Sequence, residues 1–290
     1  MSKVLSTLKP KRRWLQVSLR TVLVFVTLLC AGLSFWLVPA ERQRRAVAAI
    51  EALGGEVSYD DNQVADRLFS VTFLRQWIPP SYFKGVAFVN LAKPRVTDAD
   101  LPQLQGLTGV RWLWLRHTQV TDDGLAHLKD LAGLQWLDLA HTQVTDAGMP
   151  HLQGLKNLQE ISLTDTQVTD AGIARLQGLT QLQKLWLTNT QITDAGLVHL
   201  RGLPALLWLN LGDTQITDAG LADLKGLTSL WKLELKGTQI TDDGLIYLHG
   251  VDKLTWLGLE KTKITEAGLA QIRSALPPSC RIKGPNGRIY

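Results

Sequence analysis

The sequence contains very little cysteine, with only Cys30 and Cys280 among its 290 residues. Cys30 lies inside a long apolar segment and Cys280 lies near the C-terminus, so we expect no disulfide within the chain. The short motifs of common enzymes are also missing: there is no H-E-x-x-H, no G-x-x-x-x-G-K-S/T, no G-x-S-x-G and no C-x-x-C. These absences predict a protein that is not an enzyme and that holds no cofactor.

Charge is absent from residues 21–40, which read TVLVFVTLLCAGLSFWLVPA. Twenty helical residues reach about 30 Å, the thickness of the hydrocarbon core of a bilayer. Six Lys or Arg precede this segment and three follow it, and this asymmetry favours a cytoplasmic N-terminus. We therefore predict a transmembrane signal anchor at residues 21–40, with the rest of the chain outside the cytoplasm.

Two alternatives to the anchor stay open. Val38, Pro39 and Ala40 offer small residues at the offsets of a signal-peptide cleavage site, although the apolar core exceeds the roughly 7 to 15 residues usual there. A buried core helix is the second alternative, and the basic flank and the lack of a polar face argue against it.

The net charge of +5 comes from the N-terminus. Residues 1–45 hold nine Lys or Arg against Glu41, whereas the remainder carries 22 basic and 25 acidic residues. A nucleic-acid partner requires a basic patch on the folded domain. We therefore expect no binding of nucleic acid.

From residue 86 onward the chain repeats with a period of 24 residues. The copy LQWLDLAHTQVTDAGMPHLQGLKN begins at Leu134 and recurs as LQEISLTDTQVTDAGIARLQGLTQ from Leu158. The V/I-T-D/E core of the copies begins at Val96, Val120, Val144, Val168, Ile192, Ile216, Ile240 and Ile264. Eight copies without an insertion predict a solenoid, in which each repeat packs on its neighbours.

Each copy combines a strand pattern with a helix pattern. Leu137 and Leu139 alternate with other residues, as in a strand with one buried face. Met149 and Leu152 are spaced by three, which suits a short helix, and Thr145 stands where a helix N-cap belongs. The unit is therefore one strand and one short helix for every 24 residues.

This pattern, L-x-x-L-x-L followed by V/I-T-D-x-G-L-x-x-L, resembles the leucine-rich repeat of the cysteine-containing subtype. Threonine stands where that subtype has cysteine, and each copy has one residue fewer before T-D. Such copies resemble those of bacterial, often membrane-anchored, members. The threonines are Thr118, Thr142, Thr166, Thr190, Thr214, Thr238 and Thr262. The resemblance implies an α/β solenoid shaped as a horseshoe, with a parallel β-sheet on the concave side and short helices on the convex side. For function it implies only a binding scaffold.

The chain is then divided as follows. Residues 1–20 form a basic cytoplasmic tail, 21–40 the transmembrane helix, 41–85 a juxtamembrane helix and N-terminal cap, 86–276 the eight repeats, and 277–290 the C-terminal cap and tail. Within the N-terminal cap we predict helices at residues 41–53 and 64–77 and a strand at 56–59. We expect residues 284–290 to be frayed.

Two columns of side chains could be taken for metal sites. One runs from Asp98 to Asp242 in steps of 24 and ends at Glu266, and we expect each carboxylate to support the N-terminus of its own helix. The other contains His127, His151 and His199, but two adjacent imidazoles without a third ligand are a weak zinc site. We expect neither column to hold a metal. The threonine column should hydrogen bond to backbone in the turn after each strand.

The solvent-facing positions of the strands carry the functional signal. If Leu137 and Leu139 face the core, their neighbours face the concave side. The predicted ligand-binding residues there are Trp112, Trp114, Trp136, Trp186, Trp208, Trp256, Asp138, Glu160, Lys184 and Lys232. Tryptophan supplies large contact area at little entropic cost and dominates interface hot spots. The alternative is that the indoles only pack on one another and on lysine stems.

The sequence therefore predicts a membrane-anchored, non-enzymatic scaffold whose tryptophan-rich concave face binds a protein, or alternatively a glycan. Asp138 and Glu160 are an acid–base pair in principle, but an open sheet offers no cleft to raise a pKa. The rival hypothesis is a structural envelope spacer or oligomerisation element without a soluble ligand.

Overall fold

The computed structural model describes residues 19–60 and 85–290. The first element is helix α1 (Leu19–Ala52), which is followed by strand β1 (Glu56–Tyr59). The remaining strands are β2 (Val86–Asn90), β3 (Trp112–Trp114), β4 (Trp136–Asp138), β5 (Glu160–Ser162), β6 (Lys184–Trp186), β7 (Trp208–Asn210), β8 (Lys232–Glu234), β9 (Trp256–Gly258) and β10 (Arg281–Lys283).

Short helices follow the strands of the repeats. Those with α geometry are Asp122–Leu125, Asp170–Ala174, Asp194–Leu197, Asp218–Leu221 and Glu266–Ala275. Those with 3₁₀ geometry are Asp98–Leu104, Ala126–Leu128, Met149–Leu152, Val198–Gly202, Ala222–Gly226 and Asp242–Leu248.

The ten strands form one sheet in chain order, β1 to β10. Strands β2 to β10 are parallel, and β1 pairs with β2 in the antiparallel sense. Neighbouring copies pair without slippage, so Leu137 on β4 lies between Leu113 and Ile161. The expected solenoid of parallel strands and short helices is confirmed.

The core lies between the sheet and the short helices. Leu137, Leu139, Leu152 and Leu155 are completely buried, and their equivalents in the other central copies are at most 2% exposed. A single copy cannot enclose these side chains, because each is covered by the copies before and after it. The repeats are therefore stable only as a stack.

In most copies the aspartate lies in the first turn of its own helix, as expected, and its hydrogen bonds also join consecutive repeats. Asp146 Oδ1 accepts the backbone N–H of Thr169 at 2.8 Å, and Asp146 Oδ2 accepts the Thr169 hydroxyl at 2.5 Å. The helix N-cap is the threonine, since Thr169 Oγ1 accepts the backbone N–H of Ala171. The same two bonds join Asp98 to Thr121, Asp122 to Thr145, Asp170 to Thr193, Asp194 to Thr217, Asp218 to Thr241 and Asp242 to Thr265.

This aspartate–threonine ladder explains the glycine of V/I-T-D-x-G. A Cβ added at Gly196 would lie 2.4 Å from Asp170 Oδ1. The described residues place no repeat before the first copy, and Asp100 stands where the other copies have this glycine. Its own Oδ2 accepts the backbone N–H of Thr97 at 2.9 Å. The first repeat therefore supplies the missing carboxylate itself.

The C-terminus is ordered against the last repeat, which corrects the expectation of a frayed tail. Tyr290 exchanges two backbone hydrogen bonds with Ile282 and covers the free edge of β10. Its hydroxyl lies 3.1 Å from Oε1 of Glu266, the last member of the carboxylate column. The tail thus takes the place of a further repeat.

The threonine column has the predicted role. Thr142 is 6% exposed, and its hydroxyl donates to the carbonyl oxygen of Leu139 at 2.6 Å. The same bond is made by Thr118, Thr166, Thr190, Thr214, Thr238 and Thr262.

At the N-terminal end, α1 is longer than the helix predicted at residues 41–53, and Pro39 lies inside it. Ala46, Val47 and Ile50 are buried in the same core as the first repeat. Over the described residues, no helix combines the length and apolar character needed to cross a bilayer. The predicted span at residues 21–40 stays a prediction from the sequence. The predicted helix at 64–77 and nearly all of the basic tail lie outside the described residues.

Candidate functional site

The solvent side of the ten-stranded sheet, which we call the sheet face, holds two rows of side chains. The register of the strands aligns each row across the sheet. The first row is Ser58, Phe88, Trp112, Trp136, Glu160, Lys184, Trp208, Lys232, Trp256 and Arg281. The second row is Glu56, Asn90, Trp114, Asp138, Ser162, Trp186, Asn210, Glu234, Gly258 and Lys283.

All ten predicted ligand-binding residues lie on the sheet face, but their exposure differs. Trp112 is 37% exposed, and Asp138 is only 6% exposed. The half-buried ones are Trp114, Trp136, Trp186, Trp208, Trp256, Glu160, Lys184 and Lys232. Alternation therefore assigns the face of these side chains, but it does not determine how much of each reaches solvent.

The half-buried indoles at the N-terminal end pack on aromatic neighbours from adjacent strands. The Trp114 ring centroid lies 4.9 Å from Phe88 and 5.6 Å from Trp136, and both contacts are edge-to-face. The Arg116 guanidinium lies 5.1 Å from the Trp114 ring. Such pairs contribute about 0.5–1.5 kcal/mol each beyond the area they bury.

A second aromatic cluster is centred on Trp208. Its ring lies 5.0 Å from Trp186 and 6.4 Å from Trp231. Lys232 Nζ lies 4.0 Å from the Trp208 ring centroid and 5.5 Å from that of Trp256. Trp208 is therefore held by ring and cation contacts on several sides, which is the arrangement that the packing alternative describes.

The charges of the sheet face are largely paired within it. Lys184 Nζ lies 2.8 Å from Glu160 Oε1, and Lys232 Nζ lies 3.4 Å from Glu234 Oε1. The same Glu234 oxygen accepts the indole N–H of Trp256 at 2.7 Å. The face therefore presents alternating signs with little net charge.

Three indole N–H groups have no acceptor. The Nε1 atoms of Trp114, Trp136 and Trp208 are inaccessible to solvent, and the described residues offer them no hydrogen-bond partner. A buried donor without an acceptor costs about 1–3 kcal/mol. A partner that shifts these rings and offers carbonyl or hydroxyl oxygens would recover part of that free energy.

Trp231 directly precedes β8 and adds an exposed indole beside the two rows of the sheet face. It is 38% exposed and contacts Trp208. The equivalent position in three earlier copies is Gln135, Gln159 or Gln183. The copy immediately before has Leu207 at this position, so the position is not polar in every copy, and the exposure of Trp231 is known from the structure.

Substitution of these tryptophans should separate the exposed indoles from the packed ones. Trp208→Ala removes two ring contacts and the cation contacts of Lys184 and Lys232, so we expect a loss of about 2 kcal/mol in the free energy of unfolding. Trp112→Ala removes an exposed ring, and we expect a change within about 0.5 kcal/mol. Urea denaturation of the two variants measures both values, and equal losses would contradict this division.

Asp138 is the buried acid of the sheet face. Burial raises the pKa of its carboxyl group, against the opposing effects of the Ala140 N–H, Arg116 and the imidazoles of His117 and His141. Those two imidazoles are stacked with their centroids 4.2 Å apart. The Ala140 backbone N–H donates to Asp138 Oδ1 at 3.1 Å.

The raised pKa of Asp138 predicts the pH dependence of an Asp138→Asn variant. The carboxyl group of Asp138 binds its proton more tightly in the folded state than in the unfolded state. Protonation of Asp138 therefore stabilises the fold fully below the unfolded pKa of about 3.9, and this stabilisation is lost as pH rises through the folded pKa. Asparagine keeps the acceptor for Ala140 without the charge. We expect the variant to be more stable than the parent at pH 7, with the difference shrinking toward pH 4. Urea denaturation across this range measures it, and a difference independent of pH would refute the assignment.

The described residues contain no group of three or more His, Cys, Asp or Glu side chains able to hold a metal ion. In the histidine column, His127 and His199 instead lie 3.1 Å from the side-chain amides of Gln105 and Gln177.

Comparison with known proteins identifies the repeats. A family model described as "Leucine rich repeat" matches residues 180–240, and one described as "Leucine Rich repeats (2 copies)" matches residues 156–201. No curated protein matches the sequence.

Two solved structures from Listeria monocytogenes share the fold. The internalin inlF is 25% identical with a TM-score of 0.52, and the match covers 68% of this chain and 60% of that one. The internalin C2, inlC2, is 27% identical with a TM-score of 0.53, covering 68% of this chain and 84% of that one. The chain therefore spans less than two thirds of inlF.

Proposed function

We propose that this chain, a leucine-rich-repeat protein, is a non-enzymatic binding scaffold whose sheet face contacts a protein partner. Leucine-rich-repeat domains commonly bind proteins. The observation that carries the proposal is the exposure of Trp112 and Trp231, at 37% and 38%. An exposed indole on a rigid sheet loses little side-chain entropy when it is covered, which is why tryptophan is enriched among interface hot spots.

The layout of the sheet face suits an extended contact. Trp112 and Trp231 belong to copies whose strands, β3 and β8, are five strand spacings apart, or about 24 Å at about 4.8 Å per strand. An interface of about 800 Å² per partner is wide enough to cover both. Since the charges between them are mutually paired, we expect binding to depend only weakly on salt.

A structural element without a soluble ligand is the second candidate. It is favoured by the packing of Trp186 and Trp208 and by the cation contacts of Lys232. A spacer predicts that the exposed indoles contact no other molecule, whereas an oligomerisation element predicts that they contact only a further copy of this chain. A glycan is the alternative occupant under the first candidate, because aromatic faces also stack on sugar rings.

Site-specific photo-crosslinking distinguishes these possibilities. A benzophenone amino acid placed at position 112 or 231 of the full chain, in the cells that make it, should crosslink to a polypeptide on irradiation. Position 198 is the control, because Val198 is 46% exposed but lies in a helix on the other side of the solenoid. Equal crosslinking from position 198, or none from 112 and 231, would contradict a contact at the sheet face. A product degraded by glycosidase would indicate a glycan.

We also propose that residues 21–40 anchor the protein in a membrane with the repeats outside the cytoplasm. The support is the absence of charge in this segment and the excess of Lys and Arg before it. Protease added to intact cells should digest the repeats, and protection of the repeats would reverse the orientation.

A further inference from the structure

A groove between helix α1 and the first two repeats lies away from the sheet face. Its volume is about 840 Å³, and the polar side chains that line it are those of Arg42, Gln105, Thr108, Lys129 and Asp130. Arg42 belongs to α1, and the others belong to the loops that follow the short helices of the first two copies. The groove therefore lies on the edge of the solenoid from which the strands begin.

The two cations of this groove have no counterion in the chain. Arg42 and Lys129 are exposed, and neither forms an ion pair with any residue that the structure describes. Arg44, on the same part of α1, is by contrast held by Glu41 at 2.9 Å. Asp130 also borders the groove, so two cations and one carboxylate give it a net charge of +1. Unpaired cations beside amide and hydroxyl donors favour an anionic ligand.

The part of α1 that precedes the groove exposes apolar side chains to solvent. Between 45% and 68% of each side chain is exposed in Val22, Leu23, Val24, Val26, Leu28 and Val38. Exposed apolar surface of this extent marks a site of contact with a membrane or a protein. All six residues fall within the membrane span that we propose at residues 21–40.

Helix geometry puts the groove at the level of the lipid headgroups. Arg42 is two residues beyond the proposed span, or about 3 Å along the axis of a helix that rises 1.5 Å per residue. The polar layer on each side of the hydrocarbon core is about 5–7 Å thick. Since Lys129 borders the same groove, both cations lie where the phosphates of a bilayer are found.

Helix α1 is fixed to the repeats at its other end, which keeps the groove beside the span. The helix continues through Pro39 to Ala52 without interruption. Ile50 is completely buried in the core of the repeats. Arg95 of the first copy donates to the carbonyl oxygens of Ala52 and Leu53 at 2.9 and 3.0 Å, at the C-terminal end of the helix.

We propose that this groove binds the headgroup of an anionic phospholipid, with Arg42 and Lys129 on its phosphate. Gln105 and Thr108 supply neutral donors beside the phosphate, and the acyl chains lie along the apolar surface of α1. The inference rests on the proposed membrane anchor and is independent of what the sheet face binds. A basic residue near an anionic membrane surface raises affinity by about fivefold.

Native mass spectrometry of the full chain in a nonionic detergent tests the groove. It gives dissociation constants for phosphatidylglycerol and for phosphatidylcholine with the same acyl chains. We expect the parent to bind phosphatidylglycerol more tightly. Arg42→Gln and Lys129→Gln should each weaken this binding about fivefold and leave the binding of phosphatidylcholine unchanged. Lys225→Gln is the matched control, because Lys225 is exposed and occupies the position of Lys129 four copies later.

Several results would overturn the proposal. They are equal affinity of the parent for the two lipids, unchanged binding of phosphatidylglycerol in both groove variants, and an equal loss in Lys225→Gln. Inorganic phosphate at the concentration of the lipid should not displace phosphatidylglycerol. Displacement would show that the groove binds a free anion as tightly as it binds lipid, and the lipid assignment would fail. Circular dichroism checks that the variants keep the fold of the parent.

Fractionation of the cells that make the full chain separates failure of the groove from failure of the anchor. A chain in the membrane fraction whose variants bind lipid like the parent keeps its anchor and loses only the lipid site. A chain in the soluble fraction overturns both the anchor and the lipid site. Crosslinking from positions 112 and 231 tests the sheet face independently of either result.

Discussion

Leu137→Ala is expected to lower the free energy of unfolding by about 4 kcal/mol, within the 2–5 kcal/mol usual for buried leucine. Leu137 is completely buried on β4, in register with Leu113 and Ile161. The cavity cannot collapse easily, because the strands on both sides are held in place by backbone hydrogen bonds. Urea denaturation followed by circular dichroism measures the loss.

The position of Leu137 in the solenoid adds a second expected result. Repeats are stabilised by contacts with their neighbours, so a weak copy in the middle uncouples the two ends of the stack. The unfolding transition of Leu137→Ala should be broader than that of the parent, with a smaller dependence on urea. Val198→Ala is the control, because Val198 is 46% exposed and its truncation leaves no cavity. A loss below about 1 kcal/mol for Leu137→Ala would contradict the packing.

The repeat pattern predicts the fold well because the same physical constraint occurs eight times. The alternation of apolar residues in one copy does not by itself identify a strand. A period of 24 residues without insertion, however, leaves only one register in which the strands of successive copies can stack. The buried face of each strand, exemplified by Leu137, and the threonine bonds to backbone, exemplified by Thr142, follow from local rules and were correctly predicted.

The features that the sequence did not predict depend on contacts between copies. Asp146 next to a helix N-terminus has an adequate local explanation, and its bonds to Thr169 in the next repeat emerge only when the copies are stacked. The exposure of the indoles likewise depends on contacts between copies. Alternation places Trp208 on the solvent side, whereas its burial depends on the rings and ammonium groups of neighbouring strands.

The sequence nevertheless contains one sign of the contact between copies. The glycine that follows T-D-x occurs in every copy except the first, where Asp100 replaces it. The first copy is also the one without a preceding aspartate. The replacement of glycine by aspartate in the first copy indicates that a carboxylate occupies the space beside this position in every copy. The hydrogen bond from the Thr97 backbone N–H to Asp100 is consistent with this.

Gly196→Ala is expected to destabilise the protein by about 3 kcal/mol, although helix propensity alone favours alanine by about 1 kcal/mol in a helix such as Asp194–Leu197. The new methyl group would lie 2.4 Å from Asp170 Oδ1. Displacing this carboxylate breaks its bonds to the backbone N–H and the hydroxyl of Thr193. Gly154→Ala is the matched control, since a Cβ there meets nothing within 4 Å and we expect its stability to be unchanged.

A double-mutant cycle tests whether the carboxylate is the cause. Asp170→Ala alone leaves the Thr193 N–H without its acceptor and should cost about 2 kcal/mol. In the double variant the methyl group at position 196 enters space that the carboxylate has left, so the combined loss should fall short of the sum of the single losses by at least about 1 kcal/mol. Urea denaturation of the four proteins gives this coupling free energy. Additive losses would mean that Gly196 is required for its backbone alone, and the ladder would then not explain why every copy after the first contains this glycine.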